Sequence, residues 1–219
     1  MDDDTRGQIE RLHGAGFGAD KRPLLVCDVD EVVLHLVSPF ETVLHERGYE
    51  LRSKSFKLTG NIFHRETGRE ATQGDVWDAL TQLFEEQDRR QHPVDGVVEG
   101  LARVAEAADI VFLTNMPHQF GIQRRAHLEA HGLRYPLLTN SGTKATGIAE
   151  LKRGRPSVGF VDDTPTNLAQ VSEAHPEVAL FHFMADDVFR GLVEPMENVS
   201  ISTGDWREAG PHIAERLAI

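Results

Sequence analysis

The sequence predicts an α/β fold: a Rossmann-like, doubly wound parallel sheet forming a core domain, with a small inserted cap domain. Short apolar runs of strand length alternate with helical patterns, which is typical of parallel strands joined by crossover helices. Three of these runs, in residues 24–30, 109–115 and 157–163, end in polar side chains. The long gap between the first two leaves room for an insertion, and 219 residues suffice for one core domain with such an addition.

These patterns divide the chain into three parts. Residues 1–20 are predicted to form an N-terminal arm or short helix around a few apolar side chains. They contain no catalytic or ligand-binding motif. Residues 21–36 and 93–219 predict the core domain, which opens near a proline and resumes after another. Residues 37–92 predict the inserted cap domain. No repeat or low-complexity tract interrupts this arrangement.

Local signals predict the elements of the cap. Residues 38–41, Ser-Pro-Phe-Glu, predict a capping box with proline at the first helical position. Residues 59–61 predict a hairpin turn between strands at 56–58 and 62–63. Asp75 predicts the N-cap of a second helix, whose apolar side chains recur at helical spacing. That apolar set is Val76, Trp77, Leu80, Leu83 and Phe84.

The second half of the chain predicts a regular alternation. Helical periods and short apolar runs follow one another from residue 118 to residue 183. Asp205 predicts the start of a terminal helix at Trp206, interrupted near Pro211. The alternating elements are a helix at 118–131, a strand at 135–139, a helix at 145–153, a strand at 157–161, a helix at 165–174 and a strand at 178–183.

Two acids one residue apart follow the first apolar run. Asp28 and Asp30 come after Leu24-Leu25-Val26-Cys27, which reads as a buried strand. If strand geometry persists, residues i and i+2 point to the same face and their carboxylates crowd each other. Like charges that close raise a pKa unless a cation lies between them. A bound divalent metal is the simplest resolution, and an acidic turn after a strand is the alternative.

Later segments supply companions for this pair. Thr114 and Asn115 end the second run, Lys144 precedes a helical pattern, and Asp162 and Asp163 end the third run. Parallel strands present their carboxyl ends at one edge of a sheet, where open α/β folds place ligands. We therefore expect these side chains to converge. Four carboxylates, an ammonium and a hydroxyl are suited to a hard cation and a phosphoryl group.

At these residues the chain resembles the haloacid dehalogenase-like (HAD) hydrolase superfamily, most of whose members are phosphatases. Asp28-Val29-Asp30-Glu31-Val32 matches its first motif, Asp-x-Asp-x-Thr/Val, and Thr114, Lys144 and the pair Asp162-Asp163 match the other three in order. Each match alone is weak, whereas all four in sequence are specific. Glu31 stands at a variable position where many members carry glycine, so the turn rather than the chemistry is expected to differ.

The resemblance implies a role for each matched residue. Asp28 is the expected nucleophile, and Asp30 the acid that protonates the leaving oxygen and then activates water. Thr114, the backbone N–H of Asn115, and Lys144 are expected to bind the phosphoryl group. Asp30 also favours a phosphatase over a dehalogenase, because dehalogenases proper lack this acid. The expected ligands of Mg2+ are Asp28, Asp30, Asp162 and Asp163.

A basic group within the cap is a weaker candidate. Arg52, Lys54, Lys57, His64 and Arg65 cluster in an otherwise acidic protein. A solvated hairpin surface explains this composition best, and contact with an anionic substrate when the cap closes is the second interpretation. His118, just after the second motif, is interpreted as a helix-start residue.

The amino-acid composition limits the classes of molecule that the protein is expected to bind. A formal charge of −12 argues against nucleic acid and against an anionic membrane surface. No apolar stretch approaches the roughly 20 residues of a membrane span, and the acidic start does not resemble a signal peptide. The one cysteine suits a reducing cytoplasm. The expected partner is a small phosphorylated metabolite, and the oligomeric state stays open.

The function that follows is a magnesium-dependent phosphatase acting on a small soluble phosphate monoester through an aspartyl-phosphate intermediate. Two alternatives remain: a phosphotransferase or mutase on the same scaffold, and a non-catalytic phosphate-binding regulatory protein. A two-component receiver domain fits less well, because receivers carry their acid pair before the phosphorylated aspartate and have none after the lysine.

Overall fold

The core of the protein is a six-stranded parallel sheet. The computed structural model describes residues 1–52 and 60–218, and within them the strand order is β5-β4-β1-β6-β7-β8, with every neighbouring pair parallel. This confirms the predicted Rossmann-like sheet. The strands are β1 (Leu24–Cys27), β4 (Asp109–Asn115), β5 (Leu137–Asn140), β6 (Val158–Asp162), β7 (Ala179–Phe183) and β8 (Val199–Thr203).

Helices cover both faces of this sheet. The alternation of side chains along β1 shows why: Leu25 and Cys27 join one hydrophobic cluster, and Leu24 and Val26 join the other. On the first face lie α5 (Val97–Ala107), α6 (Gly121–Ala130) and α10 (Trp206–Leu217). On the second lie α1 (Asp3–Gly14), α7 (Lys144–Leu151) and α8 (Pro165–Ala174).

The strand order reverses around β1. From β1 the chain crosses to β4 and then β5 on one side, and later returns to β6, β7 and β8 on the other. Ligands of open α/β sheets bind at such a reversal, outside the carboxyl ends of the strands. The ends of β4, β1 and β6, three adjacent strands, therefore define the place where a site is expected.

A second, smaller unit is inserted after β1. It contains α2 (Val37–Glu46), the antiparallel strands β2 (Tyr49–Leu51) and β3 (Ile62–His64), and α3 (Gln73–Glu85). A hydrophobic cluster of its own, including Phe40, Leu44 and Leu83, holds these elements together. This confirms a small inserted cap; its boundaries at 37 and 92 stay a prediction. The short helix α4 (Gln87–Arg90) follows α3, and the two linkers meet where the His35 N–H donates to the His92 carbonyl at 3.0 Å.

The predicted starts of both cap helices were wrong. Helix α2 begins at Val37, so Ser38 lies inside it and forms no capping box; the carboxylate of Glu31 accepts from the first free N–H groups instead. The N-cap of α3 is Thr72, and Asp75 is the third helical residue of a capping box with it. Trp77 does not face the cap core, since 54% of it is exposed.

The hairpin of the cap differs from its prediction. Strand β3 pairs with β2, with Leu51 opposite Ile62. The predicted partner strand at 56–58 and the turn residue Thr59 lie outside the described residues, so that part stays a prediction.

The C-terminal region adds two differences. Strand β8 extends the sheet beyond β7 and has no counterpart among the predicted elements. Helix α10 continues through Pro211, where an interruption was predicted. A helical proline loses one hydrogen bond and costs about 3 kcal/mol, but α10 packs closely on α5, and a Cβ at Gly210 would lie 2.8 Å from the Cα of Gly100. This close packing, with Trp206 fully buried, outweighs the local cost.

Among residues 1–52 and 60–218, no helix combines the length and apolar character needed to cross a membrane.

Candidate active site

Lys144 joins two acids from different strands. Its Nζ lies 2.6 Å from Oδ1 of Asp28, just after β1, and 2.7 Å from Oδ2 of Asp162, at the end of β6. All three residues are buried, with at most 6% exposed. Lys144 reaches this point because it is the first residue of α7, whose N-cap Thr143 accepts from the N–H of Ala145. The sheet edge therefore buries an ammonium between two carboxylates, as the order of the motifs predicts.

Asp162 is fully engaged, whereas Asp163 is not. Oδ1 of Asp162 accepts from the Thr164 N–H and from Nδ2 of Asn167, both at 2.9 Å. Oδ1 of Asp163 accepts from the Thr164 hydroxyl at 3.0 Å. Of this pair, Asp162 is therefore the acid that contacts Lys144. Asp163 keeps more of its carboxylate free to bind a ligand.

Three carboxylates form a group that suits a metal ion. One oxygen from each of Asp28, Asp162 and Asp163 lies within 4.8 Å of the others. With Asp30 there are four acids at this edge, and in the described part of the chain two cationic side chains contact them, Lys144 and Arg124. A formal excess of two negative charges remains. All-oxygen ligands and this excess fit a divalent cation such as Mg2+.

Burial and charge shift the pKa values of these groups. The pKa of Asp28 is raised to about 7: burial has the largest effect, Lys144 acts in the opposite direction, and the nearby Asp162 carboxylate adds to the rise. Burial and the neighbouring Asp162 and Asp28 also raise the pKa of Asp163. The pKa of Lys144 is raised by both carboxylates, against the effect of burial, so the amine stays charged. The negative charges of these carboxylates therefore repel one another, and a bound cation would reduce this repulsion.

The carboxylate of Asp30 is engaged by a different cation. Its Oδ1 accepts from Nη1 of Arg124 and from Nε2 of Gln91, both at 2.9 Å. Its Oδ2 has one long contact, 3.4 Å from the Thr114 hydroxyl. Asp30 is not part of the three-carboxylate group that suits a metal. Its inclusion among the metal ligands stays a prediction.

Thr114 and Asn115 lie at the end of β4, adjacent to β1. Thr114 is buried next to Asp30. The side chain of Asn115 bonds to residues at the end of β5 and in the loop after it. Its Oδ1 accepts from Nδ2 of Asn140 at 2.7 Å, and its Nδ2 donates to the Gly142 carbonyl at 3.1 Å. The amide therefore braces the loop before Lys144. The predicted binding of a phosphoryl group by the Asn115 backbone stays a prediction.

Glu31 explains how the first motif manages without glycine. Its φ of 59° lies in the left-handed region, which costs a residue with a side chain about 1–2 kcal/mol. Its buried carboxylate accepts from the N–H groups of Leu36 at 2.7 Å, Val37 at 2.8 Å and Asp186 at 3.0 Å. These charge-assisted hydrogen bonds offset the strain and tie the start of α2 to the loop after β7.

The basic candidates within the described residues are Arg52, His64 and Arg65. His64 and Arg65 line a cavity of about 610 Å³ whose other walls, Gly48, Glu50 and Glu66, also belong to the cap. Lys54 and Lys57 lie outside the described residues. Arg52 pairs with Glu50 and lies over the Phe63 ring at 4.3 Å.

His118 opens a short 3-10 turn at His118–Phe120, as expected for a helix-start residue. Its ring bonds to the Thr139 hydroxyl at 2.6 Å and to Asp2 at 3.1 Å. It therefore braces the N-terminal helix α1 against β5.

Sequence reasoning missed three residues that contact the site. Arg124 and Gln91 hold Asp30, and Nε2 of the buried His182 donates to the Asp163 carbonyl at 3.0 Å. One signal was available for Arg124: in the helix at 118–131 it stands four residues from both Phe120 and Leu128, on the face that the apolar spacing directs inward. Gln91 and His182 carry no comparable signal.

The overall structure resembles solved proteins at low sequence identity. YfnB of Bacillus subtilis, assigned as a HAD hydrolase and bound to magnesium, matches with a TM-score of 0.59 at 13% identity, over 88% of this chain and 98% of its own. A HAD family hydrolase of Deinococcus radiodurans with bound phosphate and sodium matches with a TM-score of 0.55 at 14% identity, over 89% and 95%. A Thermotoga maritima protein assigned as a β-phosphoglucomutase matches with a TM-score of 0.55 at 11% identity, over 89% and 98%.

No family model matches the chain, and no curated protein matches it in sequence. The likeness therefore concerns the fold: nearly the whole of each chain is covered, and the neighbours share one superfamily. The chain has the fold of the haloacid dehalogenase-like hydrolases, as the four sequence motifs predict.

Proposed function

We propose that the protein is a magnesium-dependent phosphatase that hydrolyses a small soluble phosphate monoester through an aspartyl-phosphate intermediate. The observation that carries this proposal is the buried arrangement of Lys144 between Asp28 and Asp162, with Asp163 beside them. Such a group of acids and one ammonium costs free energy when it is buried. It is explained by a function that requires cation and phosphate binding at one point.

In the proposed reaction Asp28 is the nucleophile. One of its carboxylate oxygens forms a bond to phosphorus while the bond from phosphorus to the leaving oxygen breaks. Asp30, on the same side of the strand end, donates its proton to that oxygen. Asp30 then accepts a proton from water, which attacks the phosphorus and releases Asp28 and inorganic phosphate.

The remaining residues support the phosphoryl group and the acids. Lys144 holds Asp28 in place and provides positive charge next to the transferring oxygens. The Thr114 hydroxyl and the Asn115 backbone N–H are the proposed donors to the other phosphoryl oxygens. Asp28, Asp162 and Asp163 would hold the divalent ion. The carboxylate of Asp30, the fourth ligand expected from the motif, is held by Arg124 and Gln91 and is assigned to proton transfer. When bound, that ion would neutralise charge on both the carboxylates and the phosphate.

The proposed partner is a phosphorylated metabolite in the cytoplasm. The formal charge of −12 disfavours nucleic acid and anionic membranes, which agrees with a small substrate. Specificity is proposed to come from the cap, where His64 and Arg65, with Lys54 and Lys57, would meet anionic groups remote from the phosphorus.

A hydrolysis screen over phosphorylated metabolites, run with Mg2+ and after exhaustive chelation, tests the proposal. We expect release of inorganic phosphate that chelation abolishes and Mg2+ restores. Turnover that chelation leaves unchanged would contradict it, and absence of turnover over the whole panel would favour a non-catalytic phosphate-binding protein.

The same screen separates hydrolysis from phosphoryl transfer. The Thermotoga protein, assigned as a β-phosphoglucomutase, shows that this fold also occurs among proteins assigned to phosphoryl transfer. If the phosphoryl group appears on a second metabolite instead of in inorganic phosphate, the protein is a phosphotransferase or mutase that uses the same residues.

A further inference from the structure

Arg124 is a fully buried cation that contacts one acid of the candidate active site, Asp30. It projects from α6, and none of its surface is exposed. Its Nη1 donates to Asp30 Oδ1 and its Nη2 to Gln91 Oε1, both at 2.9 Å, while its Nε donates to Gln87. Each nitrogen of the guanidinium thus has an acceptor, so the group is fixed in orientation as well as in place.

The two glutamines are fixed in turn. Nε2 of Gln91 donates to Asp30 Oδ1 at 2.9 Å and to the His35 carbonyl at 3.0 Å, and the Gln91 carbonyl accepts from His127 at 2.9 Å. Nε2 of Gln87 donates to the Phe84 carbonyl at 2.7 Å. Both glutamines are fully buried. Arg124 is therefore held by a rigid network that spans α6, α4 and both linkers of the cap.

This network treats the two oxygens of Asp30 differently. Oδ1 accepts two short hydrogen bonds, from Arg124 and Gln91, and both donors are buried. Oδ2 has the 3.4 Å contact with Thr114, so it is the oxygen with room for a proton and a further partner. An arginine that served only to neutralise Asp30 would not need the two glutamines that fix its plane.

We propose that Arg124 is a positioning residue that, together with Gln91, occupies Oδ1 of Asp30 and presents Oδ2 to the leaving oxygen. The inference rests on the proposed function, because it assigns the atom through which Asp30 transfers its proton. In the forward step the proton leaves Oδ2 for the leaving oxygen as the phosphorus–oxygen bond breaks. In the second step a proton from water returns to Oδ2. Arg124 exchanges no proton and touches no substrate.

Comparing substrates with different leaving groups distinguishes a positioning role of Arg124 from a purely structural one, because loss of a structural role would slow all substrates equally. An alkyl phosphate needs protonation of its leaving oxygen, whereas p-nitrophenolate leaves readily without it. Arg124→Met keeps the length and apolar stem of the side chain and removes its donors. We expect it to slow leaving-group release from an alkyl phosphate in a single turnover about 100-fold, the lower range for loss of general acid catalysis. Release from p-nitrophenyl phosphate should slow less than about 10-fold, since that step needs no proton.

Three further single variants and one double variant complete the design. Arg155→Met is the matched control: Arg155 is an equally buried arginine, but it pairs with Asp109 at the other end of the sheet, so it should affect both substrates equally. Asp30→Asn should show the same leaving-group preference as Arg124→Met, more strongly. In the Asp30→Asn background, Arg124→Met should cause little further loss, because the proton donor is already absent. Gln91→Met removes one donor to Asp30 and should shift the ratio in the same direction by a smaller factor.

Equal slowing of both substrates by Arg124→Met, or full additivity with Asp30→Asn, would overturn the inference. If Arg124→Met does not fold, Gln91→Met decides: an unchanged ratio between substrates overturns the inference. The proposed function fails separately. Wild type inactive on both substrates, or Asp28→Asn as active as wild type, contradicts the phosphatase itself, whereas an active wild type with no leaving-group preference in these variants contradicts only the role of Arg124.

Discussion

Each end of the central sheet carries a cluster of charged side chains, and the two clusters differ in the ratio of acids to bases. At the amino end, Asp109 at the start of β4 pairs with two cations, Arg155 and Arg22, so one acid meets two bases. At the carboxyl end, Lys144 meets Asp28 and Asp162, with Asp163 beside them. The first cluster has a surplus of positive charge contributed by the protein itself, whereas the second has a surplus of negative charge.

This difference distinguishes the cluster at the amino end from the proposed active site. The arginines at the amino end also bond to backbone carbonyls: Nη2 of Arg22 to Ala105 at 2.7 Å, and Nη1 of Arg155 to Arg22 at 2.9 Å. Those contacts join loops on one side of the sheet. At the carboxyl end, burial and repulsion raise the pKa values of Asp28 and Asp163, which is the pattern expected where a ligand completes the site.

The largest expected effect is that of Asp28→Asn on turnover. The amide is nearly isosteric but cannot act as the nucleophile, so we expect a loss of at least about 1,000-fold in kcat. The melting temperature should stay close to that of wild type, since the substitution removes a buried carboxylate from a cluster with excess acid. Beryllofluoride, which mimics an acyl phosphate, should bind wild type and not this variant. Multiple turnovers at an appreciable rate would show that another residue is the nucleophile.

Removing one buried cation from each end sharpens the comparison. Lys144→Ala should lower kcat on every substrate by about 100- to 1,000-fold, the loss seen when one group that stabilises transferring charge is removed. It should also destabilise the fold by about 3–5 kcal/mol, because Asp28 and Asp162 lose their partner. Arg155→Met should lower stability by less, because Asp109 keeps its contact with Arg22, and should leave kcat unchanged.

Activity assays and chemical denaturation of both variants measure these effects, with Lys152→Ala, a more exposed lysine paired with Glu177, as the surface control. Equal effects of Lys144→Ala and Arg155→Met on kcat would erase the distinction between the two ends. Full activity of Lys144→Ala would mean that the third motif is misassigned.

The raised pKa of Asp28 should make stability depend on pH at the carboxyl end of the sheet. The pKa of Asp28 is raised from 3.8 to about 7 in the folded protein, so the folded state holds a proton that the unfolded state releases. Without a divalent ion, the free energy of unfolding should therefore fall as pH rises from about 4 to about 7. Saturating Mg2+ should reduce this fall, because it favours the ionised carboxylates. Denaturation curves at several pH values, with Mg2+ and with chelator, are compared between wild type and Asp28→Asn, because burial lowers the pKa values of His127 and His182 and so adds an opposite change over the same range. A fall in chelator that is no steeper in wild type than in Asp28→Asn would contradict the expectation.

The smallest effect should come from the cap. Arg65→Ala, Lys54→Ala and Lys57→Ala should raise KM by a few-fold for substrates with additional anionic groups and leave kcat unchanged. Arg103→Ala, an exposed residue on α5, is the matched control. Unchanged KM values across a charged panel would leave the basic group as a solvated surface.

The features of the fold and of the candidate site that could be predicted are those encoded by residues close together in the sequence. Five of the six core strands, their parallel direction and the convergence of Asp28, Lys144 and Asp162 were predicted from short apolar runs and the polar residues that follow them, a pattern contained within a few positions. Helix starts in the cap were misplaced because the acceptor at the start of α2 is Glu31, a residue outside the helix. Gln91 contacts Asp30 across 61 positions of sequence, and no local pattern specifies such a contact.

Trapping the phosphoryl group tests the central claim most directly. Wild type is mixed with a substrate from the hydrolysis screen, quenched in acid within a turnover and analysed by peptide mass spectrometry, with Mg2+ and with chelator. We predict a phosphoryl group on Asp28 that forms with Mg2+, is absent with chelator and is absent in Asp28→Asn. A phosphoryl group on another residue, or Asp28 phosphorylated equally in the presence of chelator, would contradict the account.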